Sequence, residues 1–69
     1  MFNVNAKKIR SLMFAQQITN SKLARKANLQ NASISRLTRD GATANAATIG
    51  KIAAALGIDG EKLILEKED

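Results

Sequence analysis

The chain has no cysteine and no histidine. The first absence excludes disulfides and thiolate metal sites. The second removes the commonest general base and metal ligand. Asp40 is the only acid before residue 59, the serines have no plausible base beside them, and no glycine-rich phosphate loop is present. A catalytic constellation therefore has no residues to draw on, and no metal or cofactor is expected. Proline, internal repeats and low-complexity linkers are missing as well. No apolar run approaches the roughly 18 residues needed to cross a bilayer. The N-terminal MFNVNAKKIR lacks the basic-then-apolar order of a signal peptide. These absences describe a soluble, cytoplasmic protein without a membrane partner.

What remains is short, helical and basic. Sixty-nine residues make one domain, 1–69, near the lower size limit for a self-sufficient core. That core must be aliphatic, completed by dimerisation if it falls short. The starting methionine and charged end suggest a whole protein, the alternative being a fragment cut before a sensing domain. Charge is divided unevenly. From Met1 to Ile58, nine Lys or Arg face one acid, a net +8. From Asp59 to Asp69, two Lys face five acids, a net −3, which restores the overall +5. A body this basic points to a polyanionic partner, the plainer alternative being a solvated surface.

Helical periodicity runs along the chain, punctuated about every ten residues. Ile9, Leu12 and Met13 predict a first helix over about Asn5 to Ala15. Thr19 is suited to cap a second helix, Asn20 to Ala27, with Ile18 stapling onto Leu23. Asn28, tolerant of the left-handed conformation, ends it. A third helix starts at Gln30 or Asn31 and ends near Arg39, with Ile34 and Leu37 turned inward. The small-residue loop GATANA leads to a fourth helix, Ala46 to Leu56, closed by Gly57. Gly50 within it costs about 1 kcal/mol of helix propensity relative to alanine, which predicts a helix packed closely there. Asp59 can cap a last short helix containing Leu63 and Ile64, and the LILEKED end is either its continuation or extended.

The segment Thr19 to Leu37, TNSKLARKANLQNASISRL, sets two short helices across a turn of about three residues. Alanines stand where backbones must approach, and Leu29 plugs the turn. One face of the second helix is left clear of the core, lined with amide, hydroxyl and guanidinium groups. Such a face suits the major groove, where Asn can read adenine and Arg can read guanine through paired hydrogen bonds.

Taken together, KKIRSLM, ITNSKLARKANL, NASISRLTR and IGKIAAALGIDGEKLI resemble the lambda-repressor-like, or Cro and C1-type, helix-turn-helix proteins, without a gap from Val4 to Ile64. The resemblance implies an all-α domain of four to five helices with a helix-turn-helix over about 19–39. It further implies a sequence-specific regulator of transcription, a repressor of the phage Cro or C1 kind, that binds double-stranded DNA as a homodimer. Gln30, Asn31, Ala32, Ser33 and Arg36 match base-facing positions. Asn20 matches the position that reaches the duplex beside the reader helix, and Ser35 and Arg39 match backbone contacts. Ile58, Leu63, Ile64 and Leu65 fall in the usual dimer contact.

Three features depart from the family pattern. The turn from Asp40 to Asn45 has no Lys or Arg, where such proteins often hold phosphates, which leaves backbone amides or Lys7, Lys8 and Lys51 as substitutes. Ala32 offers only apolar contact, for example to a thymine methyl. Met13 and Phe14 are adjacent where the first helix usually turns polar. A partner protein at Met13 and Phe14 would fit a second reading, an interaction module such as an antitoxin or co-regulator. Phe2 is expected to pack across the N-terminus; if Phe2 and Phe14 were both exposed, they would mark a partner surface.

Overall fold

In the computed structural model, which describes residues 1–65, each of the longer helices begins behind a side chain that closes its start. Asn5 Oδ1 accepts from the Lys8 amide at 3.1 Å ahead of α1 (Ala6–Gln16), and Thr19 Oγ1 accepts from the Lys22 amide at 3.1 Å ahead of α2 (Asn20–Ala27). Asn45 Oδ1 does the same for α4 (Ala46–Leu56), accepting from the Thr48 amide at 2.9 Å. A cap of this kind is worth about 1 kcal/mol. All three helices end in the left-handed conformation, at Gln17, Asn28 and Gly57. Asn28 and Gly57 are the residue types such an end favours. Gln17, with φ +56°, is not, and the sequence offers no signal for it.

Helix α3 (Asn31–Leu37) is shorter than expected, stopping two residues before Arg39. Thr38 leaves the helical conformation, with φ −91° and ψ 4°, and its hydroxyl donates to the Ser35 carbonyl at 3.1 Å. A 3₁₀ turn, Gly60–Leu63, follows α4, and Asp59 makes no side-chain cap to it. Ile64 lies beyond that turn in an extended conformation, with φ −104° and ψ 129°. Residues 66–69 of the LILEKED end lie outside the described residues. No described helix is long and apolar enough to cross a membrane.

Two strands of two residues each complete the fold. β1 (Phe2–Asn3) pairs antiparallel with β2 (Thr43–Ala44), Phe2 opposite Ala44 and Asn3 opposite Thr43. On its other side Val4 bridges Ile64, and the Leu65 amide donates to the Asn3 carbonyl at 2.9 Å. GATANA is therefore part strand, where a loop was expected. Segments this short show no periodicity, and they exist only because the fold brings their backbones together.

The core is built without polar side chains among the described residues. Ile9, Leu23, Ile34, Leu37, Ile52 and Leu63 are fully buried, and Ala24, Ala27, Ala44 and Ala53 fill the close approaches. Helix α2 packs on both α3 and α4, and the 3₁₀ turn closes against α1 and α4. Three expectations are corrected. The partner surface at Met13 and Phe14 loses Met13, which is 8% exposed on the inward face of α1 with Ala6 and Ile9, as its spacing with Ile9 predicts. Phe2 remains exposed, held at the rim by strand pairing instead of packing inward. Gly50 faces solvent, and a Cβ built there would meet nothing within 4 Å, so close helix packing does not explain it.

Candidate nucleic-acid interface

The geometry of the helix-turn-helix is set by the turn after α2. Asn28 adopts φ 58° and ψ 46°, and its amide bonds back to the Ala24 and Arg25 carbonyls. The Leu29 amide then donates to the Ala24 carbonyl at 2.8 Å, and its side chain packs against the core from a half-buried position. This reverses the chain in three residues. Ile34 and Leu37, at 0% and 1% exposure, anchor α3. Their i, i+3 spacing leaves the opposite face, Ala32 and Arg36, exposed, with Ser33 and Ser35 half-buried on its flanks. Gln30 and Asn31 stand exposed at the start of the helix and Arg39 just beyond its end. The structure thus brings Asn20, Gln30, Asn31, Ala32, Ser33, Ser35, Arg36 and Arg39 onto α3 and its immediate borders.

Several of these side chains are engaged with one another. Asn31 Nδ2 donates to Ser21 Oγ at 3.2 Å, and Asn20 Nδ2 lies 3.5 Å from Ser35 Oγ. The start of α2 is therefore tied to α3 at its first residue, Asn31, and near its last turn, at Ser35. Arg36 Nη1 donates to the Thr43 carbonyl at 2.9 Å, fastening α3 to β2. Gln30 is the N-cap residue of α3, yet its side chain makes no capping bond. That frees its amide group and removes capping as the explanation of its presence.

Two contributors escaped the sequence. Ser21 is one, and its place in the exposed first turn of α2 is the signal that could have found it. Arg10 is the other. Its Nη1 donates to the Thr38 carbonyl at 2.6 Å and pairs with Asp40 Oδ1 at 3.3 Å, across 28 and 30 residues of chain. No local pattern could have announced that contact. Lys7, Lys8 and Lys51 are all exposed. Lys22, Arg25 and Lys26 line the exposed side of α2, away from Leu23, Ala24 and Ala27.

The second group named from the sequence lies at the other end of the chain. Ile58 and Ile64 are half-buried and Leu65 is exposed, 46%. Leu63 is 1% exposed and belongs to the protomer's own core, so any part it has in a dimer contact is to support the segment from beneath.

The fold is similar to that of the restriction-modification controller protein C.AhdI from Aeromonas hydrophila. The TM-score is 0.78, with 24% identity over 86% of this chain and 89% of that one. It is also similar to part of Streptomyces albus HEPD, solved with 2-hydroxyethylphosphonate and Fe(II). There the TM-score is 0.80 and the identity 25% over 99% of this chain, but the match takes in only 16% of that enzyme. No curated protein matches the sequence. Residues 8–64 match the model of the Cro/C1-type HTH DNA-binding domain, which takes in all four α-helices from Lys8 onward and the 3₁₀ turn. The chain belongs to the Cro/C1-type helix-turn-helix DNA-binding domain family.

Proposed function

We propose that the protein is a sequence-specific, double-stranded DNA-binding regulator of transcription, acting in the cytoplasm as a repressor of the Cro or C1 kind. The observation that carries this reading is the outward side of α3. It presents Asn31, Ala32 and Arg36 exposed, with Gln30 exposed at its N-cap and Ser33 half-buried on its flank. An α-helix, about 10–12 Å across with its side chains, fits a major groove about 12 Å wide. Arg36 exchanges its bond to the Thr43 carbonyl for a base edge, and the Asn20, Ser35 and Arg39 side chains border the backbone. Phosphate contacts set register and affinity, while the base-facing groups supply specificity. Two protomers join through Ile58, Ile64 and Leu65, and read half-sites separated by about one helical turn of DNA. The relative C.AhdI, a restriction-modification controller by its name, is consistent with a regulatory role.

The test is fluorescence anisotropy of a labelled random-sequence duplex over a salt series, followed by selection of an operator. Binding that falls steeply with salt supports the reading. Absence of binding at low salt defeats it.

One observation favours a second reading, an interaction module such as an antitoxin or co-regulator: Phe14 is 87% exposed. A co-purifying partner together with no salt-sensitive DNA binding would make that the better account.

A further inference from the structure

The turn that follows α3 contains no lysine or arginine from Asp40 to Asn45, yet a cation is delivered to it from elsewhere. Arg10, in the middle of α1, reaches the Thr38 carbonyl at 2.6 Å and Asp40 Oδ1 at 3.3 Å. Thr38 is the residue at which α3 ends. The guanidinium therefore sits at the C-terminal border of the reader helix. It is held there half-exposed, beside the solvent-facing end of the helix that the DNA-binding reading places in the groove.

We propose that Arg10 contacts a DNA phosphate in the bound protein, and that Asp40 holds and masks it in the free one. The proposal rests on the DNA-binding reading and adds to it a residue from outside the helix-turn-helix. The ion pair is well solvated, with side-chain exposures of 46% for Arg10 and 85% for Asp40. Solvated pairs of this kind add little to stability, so changing partner costs little. A phosphate offers the guanidinium the same paired-acceptor geometry as a carboxylate. The bond to the Thr38 carbonyl does not involve Asp40, and it keeps Arg10 at the helix end when the carboxylate is displaced. Asp40 has a second effect. It is the only acid in the first 58 residues, and it opposes phosphates on any duplex that approaches the turn. Such a repulsive group lowers the background of indiscriminate binding.

Arg10→Gln and Asp40→Asn both abolish the ion pair, so a purely structural pair would shift both variants in the same direction. The proposal requires opposite shifts. On the random duplex, Arg10→Gln should bind more weakly, with the log–log salt slope reduced by about 0.9 per bound protomer. Arg10→Lys, which keeps the charge, should keep the slope. Asp40→Asn should bind more tightly than the parent protein across the salt series. Thermal melts followed by circular dichroism check that each variant is folded. If Arg10→Gln does not fold, Asp40→Asn still decides by the sign of its effect, because weaker binding overturns the proposal. A parent-like slope in folded Arg10→Gln overturns it as well. A parent protein with no salt-sensitive binding would instead overturn the DNA-binding reading, and this proposal with it.

Discussion

Helices α3 and α4 are held in place by different means. Helix α4 has 11 residues, a side-chain cap at Asn45, a left-handed glycine at its end, and four buried side chains in Ile49, Ile52, Ala53 and Leu56. Helix α3 has seven residues, two buried side chains and an N-cap residue that does not cap. A free helix of that length is not stable in water. Its shape comes from packing and from bonds that converge on it from Ser21, Thr43 and Arg10. Helix α4 is stabilised by its own sequence, whereas α3 gives up local stability and is supported by its neighbours. Departures of this kind from local consistency are expected where residues serve something outside the fold.

The contrast can be broken at its strongest point first. Leu56→Ala empties a site that is 3% exposed and should cost about 2–5 kcal/mol of unfolding free energy, measured by urea titration. A loss below about 1 kcal/mol would show that α4 is not the pillar described. On the other side, Arg36→Ala should cost about 1–3 kcal/mol of operator affinity and relax preference at one base position. Uniform weakening on all sequences would reduce Arg36 to a phosphate contact. Gln30→Ser installs the cap that α3 lacks, so stability should rise by about 1 kcal/mol while operator affinity falls. A variant more stable and equally tight would show that Gln30 reads nothing. Gly50→Ala should raise the melting temperature, by an amount equivalent to at most about 1 kcal/mol, because its Cβ enters open space. Phe14→Ser should change stability by less than about 0.5 kcal/mol, since the ring is 87% exposed. A loss of several kcal/mol would place Phe14 in a core contact after all.

The elements with local signals were legible in the sequence. Thr19, Asn28 and Gly57 announced helix ends through their own chemistry, and the spacing of Ile9 and Met13, of Ile34 and Leu37, and of Ile49, Ile52 and Leu56 predicted the buried faces that are observed. The helix-turn-helix could be read because its pattern is continuous in the chain. What could not be read was non-local. Phe2 was placed in the core because its hydrophobicity was visible while its pairing with Ala44, 42 residues away, was not. Arg10 looked like an ordinary surface charge on α1 for the same reason. The solvent-facing side of Gly50 is not announced by its residue type, because a helical glycine signals backbone freedom without saying which face it occupies. Met13 and Phe14 were grouped by adjacency, although neighbours on a helix point about 100° apart.

The short strand near the N-terminus governs the order in which the molecule can assemble. Asn3, Val4 and Asn5 hydrogen-bond on one side to residues 42–44 and on the other to residues 63–65. During synthesis this strand emerges more than 55 residues ahead of its last partners. The helices can form and collapse beforehand, but the final seam closes only when both ends of the described fold meet. That closure is non-local, so it carries a loop entropy the helices do not. The amides of Val4, Asn5 and Leu65 should therefore be slow to acquire protection from hydrogen exchange as the chain folds, and should report on whole-molecule opening once it has.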